Sequence, residues 1–118
     1  MKYLAAPHSH NDPAVRQARF DAVCRAAAQF LKAGEMIFAP TVHSKPIADA
    51  HDLPQDYAFW SKWNAWFLVR SDEIRVLLID GWAESVGIKD EKAIARRNEI
   101  PVTWWRETAE GWKQVPKP

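Results

Sequence analysis

Short apolar runs, each shut off by a proline or glycine and separated by stretches of helical spacing, most limit the folds open to this chain. Lys2 to Ala6, closed by Pro7, reads as a buried first strand followed by a loop. Met36 to Ala39, stopped by Pro40, reads as a second. Ile74 to Ile79 is a near-continuous apolar run of the type covered on both faces in parallel sheets, and Gly81 breaks it. Pro101 to Trp105 supplies a fourth strand, and Trp112 to Val115 a short antiparallel edge.

The segments between them carry helix signals. Asp12 can cap, Pro13 suits the first helical position, and Phe20, Val23, Ala27, Phe30 and Leu31 recur at helical spacing until Gly34. Thr41 to Asp52, with Pro46 inside it, reads as a polar loop or a short helix. A second long helix is expected after Pro54, where Phe59, Trp60, Trp63, Trp66 and Phe67 form a broad aromatic face that calls for burial against a sheet or another subunit. A third runs from about Val86 to Asn98.

Strand alternating with helix predicts a three-layer α/β/α domain over 1–118, with a mainly parallel sheet of four or five strands and the first strand central. Ligands of such sheets bind beyond the carboxyl ends of the strands. The informative loops are therefore Pro7 to Asp12, Pro40 to Ile47 and Asp80 to Gly87.

Composition narrows the partner. A formal charge of +1 provides no basic field for a phosphate backbone, so a small ligand is expected rather than nucleic acid. Cys24 is the only cysteine, which excludes an internal disulfide and points to a reducing, cytoplasmic setting. No apolar run reaches membrane-spanning length, and the opening stretch is too short for a secretory signal. Seven tryptophans are expected mainly to pack, with Trp82 the exception that stands in a ligand loop.

The sharpest local signal is Gly81-Trp82-Ala83-Glu84-Ser85-Val86-Gly87-Ile88-Lys89-Asp90-Glu91, at the end of a strand and the start of a helix. Ser85 can cap that helix, and Gly87 lets a ligand approach its exposed amides. Glu91, one turn beyond Gly87, reads as a partly exposed carboxylate kept ionised in part by the helix dipole, which suits a nucleophile. The competing reading makes Ser85 a cap alone and Glu91 part of a solvated face.

Tyr3-Leu4-Ala5-Ala6-Pro7 resembles the opening strand and loop of the nucleoside 2-deoxyribosyltransferase superfamily, and Ser85-x-Gly87-x-x-x-Glu91 resembles its catalytic stretch. Ser9-His10, Arg19-Phe20, His43-Ser44, Pro46-Ile47 and Gly81-Trp82 resemble an uncharacterised bacterial and phage branch of it, with the likeness covering roughly residues 3 to 104. The resemblance implies a flavodoxin-like sheet and cleavage of the bond between a nucleobase and C1′ of a deoxyribose. Glu91 would be the nucleophile and Tyr3 would position it. Ser85 and nearby amides would bind the sugar's 5′ end or a 5′-phosphate, with Pro7, His8, Ser9, His43, Gly81, Trp82 and Gly87 lining the rest of the cleft. Two positions depart from the family: His8 replaces a tyrosine, and Asn64, eight residues before Asp72, replaces an aspartate that handles the leaving base. An amide there can hydrogen-bond the base but not protonate it; His8, His43 and Asp80 are the other candidates for that proton.

No cofactor is expected. His8-x-His10 with His43 hints at a metal, but no second cysteine or third carboxylate stands at a ligand spacing. Lys45 reads as a solvated loop lysine, with phosphate binding as the alternative. The wide aromatic face predicts a homodimer or higher homo-oligomer.

Overall fold

Strand β1 (Lys2–Ala5) sends alternate side chains to opposite sides of the sheet, and both sides are covered. Tyr3 and Ala5 join Ile74, Val76, Ile88 and Leu68 in one core, whereas Leu4 joins Leu77, Val23, Ala26 and Phe30 in the other. The computed structural model, which describes residues 1–118, is therefore a three-layer α/β/α domain.

After β1 come α1 (Pro13–Lys32), β2 (Ile37–Phe38), α2 (Pro40–His51), α3 (Tyr57–Leu68), β3 (Glu73–Leu77), α4 (Val86–Arg97), β4 (Val102–Thr108) and β5 (Gly111–Val115). The sheet order is β2-β1-β3-β4-β5, with only β5 antiparallel. This order places the middle of the sheet at β3, not at β1 as the sequence predicts, because only the two-residue β2 lies outside β1. The chain reverses direction across the sheet between β1 and β3, which is where open α/β sheets leave a crevice.

The helix signals act as their chemistry requires. The Asp12 side chain accepts from the Ala14 amide and Pro13 opens α1. Thr41 to Asp52 is helical: Pro40 starts α2, and Asp52 ends it in the left-handed conformation at φ 55°. Lys45, expected on a solvated loop, is buried in that helix, pairs with Asp49 and lies over the Phe20 ring.

Strand β3 departs from its apolar reading. Arg75 is only 4% exposed, on the α1 side of the sheet. Its guanidinium takes Glu35 in a two-pronged pair at 2.5 and 2.9 Å, adds Glu73 at 3.3 Å and sits between the Phe30 and Trp105 rings. Burial of this cation is compatible with folding because charge, hydrogen bonds and aromatic faces all meet it. No helix is long and apolar enough to cross a membrane.

Candidate active site

The loops after β1, β2 and β3 enclose a cavity of about 430 Å3, lined by 20 residues of which four are hydrophobic. Its size falls in the range of small-molecule sites, and its lining is unusually polar for one. Helices α2, α3 and α4 all begin on its rim, at Thr41, at Asp56 with Tyr57, and at Ser85 to Gly87. Three positive helix ends thus face the same space, which favours an anionic ligand.

Glu91 lines the cavity from the second turn of α4, on the same buried face as Ile88, Ile94 and Ala95. The sequence reads it as a partly exposed carboxylate near the start of the helix; the structure leaves it 4% exposed. Burial pushes its carboxyl up to about 8, the Tyr3 hydroxyl pulls the other way and Asp90 adds to the rise. The dipole that was to keep it ionised does not prevail, since desolvation in the core outweighs a partial charge a turn and a half away.

Tyr3, beneath the cavity and wholly buried, donates its hydroxyl to Glu91 Oε2. Its own pKa is raised well above the ordinary value, first by burial and then by Glu91, so the hydroxyl keeps its proton. One carboxylate oxygen is thereby fixed, leaving Oε1 as the atom free to react.

Ser85 caps α4 by accepting from the Ile88 amide at 3.2 Å, and its hydroxyl proton stays available to a ligand. Gly87 lines the cavity and has a second reason to be glycine. A Cβ there would lie 2.9 Å from Cδ1 of Tyr57, so the glycine makes room for an aromatic ring, whose hydroxyl donates to Asp90 at 2.6 Å. Gly81, at φ +97°, turns the chain after β3, and a Cβ there would clash with Nη2 of Arg19. Arg19 ties this turn to the β1 loop by donating to the Ser9 carbonyl at 2.9 Å, while its Nε is buried without a partner.

Over residues 1–107 the chain matches the model of a family described as a domain of unknown function, DUF1937. The chain belongs to that family. No curated protein matches it.

Within this DUF1937 domain, Pro7, His8, Ser9, Asn64, Gly81, Ser85, Gly87 and Glu91 come together around the one cavity. His43 and Trp82 stand outside it. His43 stacks on Trp63 with ring centroids 4.6 Å apart, and Trp82 packs edge-on against Trp104 at 5.6 Å. Asp80 lines a separate hollow between α1 and the β4-β5 ribbon. Asn64 is 8% exposed and its Oδ1 is buried without a hydrogen-bond partner. No group of three or more His, Cys, Asp or Glu side chains is placed to hold a metal ion.

The Pro40 to Ile47 stretch contributes Thr41 and Ser44 to the DUF1937 cavity, which also has a wall that sequence reasoning missed: Gln55, Asp56, Tyr57 and Trp60 around the start of α3. The signal for the α3 residues was the place of that helix just before β3, since a helix that returns the chain to the start of a parallel strand begins on the ligand side of the sheet.

Proposed function

We propose that this DUF1937 domain is an N-glycosidic enzyme that cleaves or transfers the base of a deoxynucleoside or its 5′-monophosphate, with Glu91 as nucleophile. The observation that carries the reading is the buried Glu91 carboxyl, held through one oxygen by Tyr3 at the bottom of a polar cavity. The likeness of Tyr3 to Pro7 and of Ser85 to Glu91 to the nucleoside deoxyribosyltransferase superfamily supports it. Three helix ends suit a 5′-phosphate, and the Ser85 hydroxyl stands among them.

In the first step Glu91 Oε1 bonds to C1′ and the C1′–N bond breaks, its electron pair leaving with the base, which takes up a proton. Water or a second base then attacks C1′, and the carboxylate is released. Splitting one displacement into two is what a well-held carboxylate contributes. With its carboxyl at about 8, only about a tenth of Glu91 is ionised near neutral pH, so deprotonation precedes attack.

Asn64 favours a second reading, a nucleotide-binding domain of the same fold with little turnover, because an amide stands where the resembled family protonates the base. Incubation with a panel of nucleosides and nucleotides, followed by chromatography of released bases, separates the two: steady base release that disappears in Glu91→Gln supports the enzyme. Bound nucleotide without any release supports the alternative.

The same proposal includes a homo-oligomer in a reducing, cytoplasmic compartment. Phe59 and Trp66 on α3 remain 51% and 54% exposed, and Cys24 is a free thiol.

A further inference from the structure

From His8 and Gln55 in the cavity wall back to Asp49 and Lys45 on α2, four side chains make a series of contacts with a single consistent placement of protons. Lys45 donates to Asp49 one turn along α2. Asp49 also receives the Gln55 side-chain amide at 2.5 Å. An ionised carboxylate only accepts, so the Gln55 NH2 group faces Asp49 and its Oε1 faces the other way. That oxygen lies 3.0 Å from His8 Nε2. An amide oxygen also only accepts, which puts the shared proton on Nε2. In a neutral imidazole Nδ1 is then bare, and His8 Nδ1 is buried with no partner.

The surroundings keep the ring neutral. Burial lowers the His8 pKa, the Gln55 contact opposes this, Lys45 and Arg16 lower it further and Asp49 raises it. A buried acceptor without a partner costs free energy that a ligand donor would restore.

We propose that Lys45, Asp49 and Gln55 hold His8 as its Nε2–H tautomer so that Nδ1 accepts a hydrogen bond from the ligand, making His8 a specificity-determining residue of the cavity. The inference rests on the N-glycosidic reading only in taking the ligand to be a deoxynucleotide. Such a ligand carries donors of two kinds, the sugar 3′-hydroxyl and the N–H groups of the base. Either would be recognised by a bare imidazole nitrogen, and a site built to receive a donor rejects an analogue lacking it.

Long-range proton–nitrogen spectra of isotope-labelled protein distinguish bare from protonated ring nitrogens. In the free protein near neutral pH, His8 is expected as the Nε2–H form alone, and Gln55→Met should convert it to a mixture. A wild-type His8 that is already mixed, or protonated on Nδ1, overturns the inference. The four deoxynucleoside 5′-monophosphates are then added, together with the 2′,3′-dideoxy analogue of the one that binds best. Binding should move the Nδ1 resonance, and affinity should fall about tenfold either for the dideoxy analogue, which assigns the donor to the sugar, or across bases, which assigns it to the base. A nucleotide that binds while Nδ1 stays unmoved overturns the inference and leaves the glycosidic reading standing. Failure of all four to bind overturns the nucleotide reading and the ligand half of this inference with it.

Discussion

Replacing Glu91 by Gln should abolish base release and at the same time stabilise the protein. The native carboxyl is pushed from its ordinary 4.5 up to about 8 by burial. Between those values the folded protein holds a proton that the unfolded chain has released, so stability falls as pH rises, by about 1.4 kcal/mol per unit. Near pH 7 the accumulated penalty is about 3 kcal/mol. Gln carries no such penalty, and its carbonyl can still accept from the Tyr3 hydroxyl. Its NH2 group is left in a buried position at a cost of about 1–2 kcal/mol. The net gain near neutral pH is about 1–2 kcal/mol, which for a domain of this length raises Tm by roughly 4–8 °C. Near pH 5 the native penalty shrinks to about 1 kcal/mol and the advantage disappears; above about pH 8 it is largest. Thermal unfolding of both proteins at about pH 5, 7 and 8.5, followed by circular dichroism, measures this directly. Other titrating groups cancel in the difference, including His8, whose lowered pKa makes stability rise with pH and so slopes the opposite way. A difference in Tm that is the same at all three pH values would refute the reasoning, because a carboxyl that ionises equally in folded and unfolded chains cannot be the strained group in the cavity.

The first of the remaining predictions is that kcat/KM for base release climbs about tenfold per pH unit and levels off above about pH 8; a profile flat from about pH 6 upward would mean that Glu91 is not the group being ionised. Tyr3→Phe removes the hydroxyl that pulls the Glu91 carboxyl down, so the rising limb should move to higher pH and kcat/KM near neutral pH fall about tenfold or more, read from the same profile. Gly81→Ala should cost about 1–2 kcal/mol by denaturant unfolding, since a Cβ at φ +97° is strained and meets Arg19, and part of that loss should be absent in an Arg19→Ala background. Asn64→Asp should raise turnover if base protonation limits it, and single-turnover kinetics showing a slower release step would count against that role. Light scattering should show at least a dimer, and a monomer at the highest accessible concentration would leave the exposed Phe59 and Trp66 without the proposed partner.

Sequence punctuation carried most of the architecture. Pro7, Gly34, Pro40 and Gly81 mark changes of element because proline removes a donor and fixes φ, whereas glycine at positive φ permits the turn, as at φ +83° for Gly34 and +97° for Gly81. These are local effects and can be read locally. Arg75 could not be read that way. Its neighbours Ile74, Val76 and Leu77 describe an apolar strand, and what makes a cation tolerable among them arrives from Glu35, Phe30 and Trp105, tens of residues away in sequence. The centre of the sheet was misplaced for a similar reason: strand order is set by pairing between distant segments, which leaves one strand on one side of β1 and three on the other, and no single run reveals it.

The site divides along the same line. Pro7, Ser9, Ser85, Gly87 and Glu91 were legible because they belong to two short stretches at strand ends, and the loop-end rule brings such stretches together. The burial of Glu91 was legible too, in its spacing of three from Ile88 and from Ile94, which sets a carboxylate in an apolar stripe. Reading it as partly exposed put the helix dipole in charge of its ionisation, when burial in the second turn hands control to desolvation. The consequence is chemical: a carboxylate steadied by a dipole is ready to attack at any neutral pH, whereas one held at about 8 must first lose its proton. Three converging helix ends do not help with that loss, because an anionic ligand that binds there makes ionisation of a neighbouring carboxyl harder. Loss of the Glu91 proton therefore has to come before attack, which is why base release is expected to rise with pH up to about 8 if Glu91 is the nucleophile.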